Sequence, residues 1–117
     1  MVKADRKTIQ KDGRELQGVG FTVAVRPGDS VENQFGLMVD TLYQWYGKYG
    51  DTLGEFTVGF VGSPEEHEAL MNSLLALIQQ EEPLRPLFAR LGQVAVAFIS
   101  RDGMVVKESN LAIDSGA

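Results

Sequence analysis

The sequence predicts a two-layer α/β sandwich of the α+β type, with about five strands in a mixed sheet and two main helices on one face. Three observations lead to this fold: three strand-like runs with a shared alternation, two Asp-Gly turns and two amphipathic helical stretches. Taken along the chain, these features give the order β-β-α-β-α-β-β. The 117 residues fit a single domain, 1–117, with one core.

The strand-like runs cover residues 21–25, 56–61 and 94–99. In each run, alternate positions carry bulky Phe or Val, and the positions between them are mostly Thr, Ala or Gly. Because successive side chains of a strand point to opposite faces, the sheet is predicted to have one large-residue face and one small-residue face. The small-residue face would comprise Thr22, Ala24, Thr57, Gly59, Val61, Ala95, Ala97 and Ile99.

Two Asp-Gly pairs, Asp12-Gly13 and Asp102-Gly103, lie between strand-like residues near the two ends of the chain. Asp-Gly accommodates the positive φ angles of a type I′ turn, so each pair is predicted to close an antiparallel hairpin. The strands that flank each long helix should be parallel, because the helix returns the chain across the sheet.

The first helix is predicted to begin after Asp29, whose spacing to Glu32 suits a capping box, or after Ser30. An apolar stripe at helical spacing then runs from Val31 to a stop at Gly47 or Gly50.

The second helix has a clear start signal at Ser63, with Pro64 in the first turn and Glu66 able to reach back to the cap amide. Pro83 ends this helix, and residues 86–92 predict a short helical turn before the next strand.

The composition contains no cysteine, which excludes disulfides, thiolate catalysis and Cys-based zinc sites. No apolar stretch reaches the roughly 18 residues that span a membrane, and the N-terminus lacks a signal-peptide pattern. We therefore expect a cytoplasmic protein without membrane contact. The compact, acidic composition is in the style of small bacterial or phage proteins.

The net charge of −5 is unevenly distributed. Residues 1–14 hold five basic and two acidic side chains, a charge of +3, whereas residues 15–117 hold six basic and fourteen acidic side chains, −8. An acidic body disfavours nucleic acid, although a basic N-terminal arm offers one route to it. The arm carries Lys3, Arg6, Lys7, Lys11 and Arg14. Residues 1–6 are expected to be flexible, and 114–117 to form a disordered tail.

The sequence offers no catalytic residue, metal site or cofactor site that we can assign. His67, the single histidine, falls on the apolar side of the second helix without a spaced nucleophile, which favours a packing role. A weaker alternative is a small-ligand or nucleotide site at the strand C-termini. Its candidate residues are Arg26, Asp29, Ser63 and His67.

If both helices cover the large-residue face, the small-residue face is left for a partner, most simply a second copy of the chain. Leu37 and Tyr43 lie off the core stripe of the first helix and are further candidate contacts. The predicted function is a non-enzymatic protein-binding module that forms homo-oligomers, such as an assembly component, adaptor or small inhibitor. A small-ligand binder or modest enzyme near His67, and nucleic-acid contact through the arm, remain the alternatives.

Overall fold

The five strands of the sheet lie in the order in which they occur along the chain. The computed structural model describes residues 2–24, 28 and 30–112. The two outer pairs, formed by the first two and the last two strands, are antiparallel, and the two inner pairings are parallel. The strands are β1 (Val2–Lys11), β2 (Arg14–Ala24), β3 (Leu53–Val61), β4 (Gln93–Ile99) and β5 (Val105–Ala112).

Three α-helices connect the inner strands: α1 (Val31–Tyr49), α2 (Pro64–Gln80) and α3 (Arg85–Leu91). Single 3₁₀ turns follow α1 at Gly50–Thr52 and α2 at Glu82–Leu84. The predicted α+β sandwich with its mixed five-stranded sheet is confirmed. The short helical turn predicted at 86–92 is α3, which begins at Arg85 and ends before Gly92 in the left-handed region (φ 76°).

The helix termini follow from local capping. Ser30 caps α1, since its hydroxyl accepts a hydrogen bond from the Asn33 amide at 3.3 Å. The alternative cap, Asp29, lies outside the described residues. The helix continues through Gly47 and ends at Gly50, whose φ of 54° suits glycine and whose amide donates to the Tyr46 carbonyl.

The two Asp-Gly turns differ in structure. Asp12 and Gly13 both have positive φ, 53° and 74°, as the predicted type I′ turn requires. In the second hairpin, Gly103 alone of the pair has positive φ, and the loop is longer. Ser100 accounts for the difference, because its amide donates to the Met104 carbonyl at 2.8 Å and its hydroxyl accepts from the Met104 amide at 3.2 Å.

β1 begins earlier than its sequence pattern indicates. The strand-like residues before the first Asp-Gly pair begin at Thr8, yet the strand starts at Val2 and pairs with β2 along its whole length. Residues 2–6, expected as a flexible arm, are therefore part of the sheet, because β2 offers a long partner strand. The tail expected at 114–117 lies outside the described residues.

The core lies between the sheet and the three helices. Aromatic contacts join each helix to the large-residue face, for example Phe21 to Trp45 on α1 at 5.7 Å and Phe56 to Phe88 on α3 at 6.0 Å between ring centroids. Val25, predicted on the same face, lies outside the described residues. The other bulky positions of the three runs are all buried, namely Phe21, Val23, Phe56, Val58, Phe60, Val94, Val96 and Phe98.

Candidate functional site on the uncovered sheet face

The small-residue side of the sheet forms a broad groove of about 570 Å³. Its lining residues come from all five strands and, among the described residues, include none from a helix. Five of the eight predicted residues line it, namely Thr22, Thr57, Gly59, Ala95 and Ala97, and all eight are partly exposed. The layer of helices has thus left one apolar sheet face in contact with solvent.

Strand register arranges this face in rows that run across the strands. The central row of five positions starts at Asp5 and ends at Asn110, with Gly20, Thr57 and Ala95 between them.

The neighbouring row towards the C-terminal ends of the parallel strands starts at Lys3 and ends at Glu108, with Thr22, Gly59 and Ala97 between them. Each row therefore has small residues in the middle and longer polar or charged ones on the edge strands. This profile produces a groove, since the rims stand higher than the floor.

Neighbouring side chains lean over the glycines of the floor. A Cβ added to Gly20 would lie 2.9 Å from the Thr57 hydroxyl oxygen, and one added to Gly59 would lie 3.1 Å from Cδ1 of Ile99. A Cβ on Gly18 would lie 3.5 Å from Oε2 of Glu55, so the Glu55 carboxylate is directed towards β2. Glycine at these positions lets other side chains flatten against the sheet, which keeps the groove shallow and wide.

The two rims of the groove carry opposite charges. Lys3 and Lys7 flank Asp5 on the β1 rim, whereas the β5 rim carries Glu108. Lys3, Lys7 and Glu108 are all exposed. The face consequently has a net positive edge and a negative edge. The floor between them is uncharged apart from the Glu55 carboxylate of β3. The asymmetry of the rims would orient a charged partner.

Leu37 and Tyr43, the further candidate contacts, lie on α1 in the layer of helices on the other side of the sheet. Leu37 is 57% exposed. The Tyr43 hydroxyl donates to Oε2 of Glu81 at 2.7 Å, and this carboxylate raises the pKa of the phenol. Tyr43 thus joins α1 to the end of α2, and the two residues do not belong to the groove.

The N-terminus of α2 is occupied by side chains of the chain itself. Oε2 of Glu66 accepts the Ser63 amide at 2.7 Å, as the capping-box pattern predicted. The other carboxylate oxygen of Glu66 pairs with the Arg101 guanidinium at 2.6 Å. A carboxylate therefore already fills the place where a bound anion would sit, which disfavours a phosphate site here.

His67 follows one turn later and is turned inward. It is 6% exposed, its ring lies 4.9 Å from the Phe98 ring, and its Nε2 has no hydrogen-bond partner among the described residues. Of the other candidate ligand residues, Ser63 is engaged with Glu66, and Arg26 and Asp29 lie outside the described residues. Of the four candidates the structure thus describes Ser63 and His67, and neither presents a free polar group at the strand C-termini: the Ser63 amide is bound by Glu66 and the His67 ring is buried.

The basic N-terminal residues are divided between the two sides of the sheet by strand alternation. Lys3 and Lys7 lie on the groove side, whereas the Arg6 guanidinium lies 4.7 Å from the centroid of the Tyr49 ring on α1 and donates to Gln17 at 2.5 Å. This division leaves no single basic stripe along β1 of the kind that tracks a phosphate backbone.

Sequence reasoning missed the acidic and amide residues of the groove, Asp5, Glu55, Glu108 and Asn110. Their position depends on which strands form the edges, and no local pattern states that order. The signal that was available is the Asp12-Gly13 turn, which fixes the register of β1 on β2 and hence the face on which Asp5 lies.

No helix within residues 2–24, 28 and 30–112 combines the length and apolar character needed to cross a membrane. In the same residues, histidine and carboxylate side chains do not gather in groups of three or more around a possible metal position. A scan against protein-family models, a search of the curated proteins and a search of the solved structures each returned no match to this chain.

Proposed function

We propose that the protein is a non-enzymatic binding module that pairs with a second copy of itself through the uncovered sheet face. The observation that carries this proposal is the groove, a floor of mainly Gly, Ala and Thr, with Glu55 towards one end, between oppositely charged rims. Apolar sheet faces in stable proteins are normally packed against a second layer, and two-fold homodimers are the commonest assemblies.

The charges of the rims favour one two-fold arrangement of the two sheets. In the first arrangement the two-fold axis runs parallel to the strands and passes near Thr57. Each row of one copy then lies over the same row of the partner, with the order of the strands reversed. Lys3 then faces the partner's Glu108, and the small residues of the floor face one another. With the axis across the strands, Lys3 would face the partner's Lys7, and the two copies of Asp5 would meet. The charges of the two rims therefore favour the strand-parallel axis, which also brings the two copies of Glu55 near each other at one end of the floor.

The size of the face implies a reversible dimer. Five strands spaced by about 4.8 Å, each some eight residues long at about 3.3 Å per residue, give a face of roughly 500–600 Å². Two such faces bury on the order of 1,100 Å², at the low end of specific interfaces. A dissociation constant in the micromolar range is the expected consequence, so the dimer should dissociate on dilution.

The first test is a charged side chain on the groove floor. Ala97→Arg places a long side chain among the small residues of β4 and should raise the dimer dissociation constant by more than about 100-fold, because it would hold the two floors apart. The matched control is Ala69→Arg, an exposed alanine on α2, which should dimerise like the original chain. Sedimentation velocity over a concentration series measures both.

Circular dichroism melts of both variants must show a folded protein. A chain that stays monomeric up to about millimolar concentration would overturn the proposal, as would equal dimerisation of Ala97→Arg and Ala69→Arg.

The second test concerns the orientation of the two copies. Lys3→Glu and Glu108→Lys should each weaken the dimer roughly tenfold, because each change places like charges together at two symmetric sites. The double variant should recover the original affinity to within about threefold. Lys48→Glu on α1, which changes the net charge as Lys3→Glu does, serves as the control for that variant. If the double variant does not recover the dimer affinity that the single charge reversals lose, the interface would stand but the strand-parallel axis would be wrong.

A further inference from the structure

A second groove, separate from the uncovered sheet face, lies on the helix side between α2 and the edge strand β5. It has a volume of about 440 Å³. It exists because the helices cover the middle strands, while β5 extends beyond them with Lys107 and Ser109 on the helix side, opposite Phe98 and Val96 of β4. The remaining lining residues are His67, Glu68, Met71, Asn72, Phe98 and Val106.

The wall of this groove contains an unpartnered buried imidazole. His67 is more than nine-tenths buried, and its Nε2 has no hydrogen-bond partner among the described residues. A buried polar atom without a partner costs about 1–3 kcal/mol, a cost that native structures normally avoid. Nε2 can donate a hydrogen bond to a ligand when it carries the ring proton, and it can accept one when Nδ1 carries that proton.

The groove also contains a cation beside the same aromatic ring. The Lys107 ammonium lies 6.0 Å from the centroid of the Phe98 ring. The centroid of the His67 ring lies 4.9 Å from that of Phe98. Met71 and Val106 supply further apolar surface, and Val106 is 61% exposed. A β-bulge between Phe98 and Ile99 places Val106 between the paired residues of β5, which brings this side chain to the groove.

From these contacts we infer that the groove binds a small monocarboxylate with a planar apolar body. The body would pack against Phe98, Met71 and Val106, and the carboxylate would lie between the Lys107 ammonium and the His67 imidazole. Nε2 is buried in this structure, so the contact requires a side chain of the groove wall to move aside; Met71, which lines the groove, is flexible enough to do so. Glu68 on the rim adds a negative charge, which favours a singly charged ligand over a doubly charged phosphate. This inference does not depend on the dimer.

The test uses phenylacetate as the probe, with the uncharged phenylacetamide as its matched control. Phenylacetate should shift the NMR signals of Met71, Phe98 and Ser109, with a dissociation constant on the order of 1 mM, as expected for so few atoms. Phenylacetamide should bind at least about tenfold more weakly, because it lacks the charge that Lys107 attracts.

Two variants separate the site from adventitious binding. Lys107→Ala should weaken phenylacetate binding at least about tenfold, while Lys48→Ala on α1 should leave it unchanged. His67→Phe keeps a ring against Phe98 and removes Nε2, so a folded His67→Phe chain should also bind less tightly. Equal binding of acid and amide, shifts confined to other parts of the chain, or an unchanged affinity of Lys107→Ala would overturn the inference.

Discussion

The two faces of the sheet use the same three central strands and differ in what covers them. On one face Phe60 is fully buried beneath the helices, with Phe35 of α1 at 6.1 Å between ring centroids. On the other face the adjacent Gly59 contributes to an open groove. Large side chains leave gaps that a ridged helix surface can fill, whereas a face of Gly, Ala and Thr is smooth and suits another flat layer. Alternation along each strand therefore separates the side chains that form the core from those that remain on the open face.

The strongest way to test this difference is to remove one large side chain from the covered face. Phe60→Ala should lower the free energy of unfolding by about 3–5 kcal/mol, because it removes buried surface and leaves a cavity between α1 and the sheet. Thr57→Ala, on the same strand but on the open face, should change stability by no more than about 0.5 kcal/mol. Urea denaturation of monomeric protein measures both. Similar losses in the two variants would mean that both faces contribute to folding.

Two glycines of β3 provide a second comparison, in which smaller effects on stability are expected. Gly54 lies at a bulge, where an added Cβ would approach Cβ of Leu16 to 2.9 Å, so Gly54→Ala should cost about 1–3 kcal/mol. On the groove floor, Gly59→Ala meets only the flexible tip of Ile99, and its strand conformation favours alanine. We expect its effect on stability to lie within about 1 kcal/mol of zero.

The same denaturation experiment checks this pair. A loss for Gly59→Ala as large as that for Gly54→Ala would indicate that the groove floor is packed as tightly as the bulge. Gly59→Ala should in addition leave the proposed dimer intact, since alanine is already the residue type at the neighbouring floor positions 95 and 97.

The fold was predictable from local signals because each signal acts within a few residues. Ser63 and Glu66 form the cap that their spacing predicted, and the turn at Asp12-Gly13 has the positive φ angles that its residues tolerate best. The second Asp-Gly turn differed because Ser100, outside the pair, provides competing hydrogen bonds. Where a neighbouring side chain takes part, the dipeptide alone does not determine the turn.

The candidate site was only partly predictable. The floor residues Thr57 and Ala97 follow from alternation, whereas Leu37 and Tyr43, the further candidate contacts, lie on α1 in the layer of helices. Helical spacing places both residues off the core stripe, but it does not say what they contact, and the hydrogen bond from Tyr43 to Glu81 was not predicted. The unpartnered nitrogen of His67 is likewise a property of packing against Phe98.

The sequence by itself determined the order of the elements, their caps and the separation of large from small side chains on each strand, because these depend on backbone geometry and near neighbours. Tertiary structure alone decided that β1 and β5 form the edges, and therefore that Lys3 and Glu108 end the same row on opposite rims. Pairing between distant segments sets those positions, and it is governed by how the whole core packs.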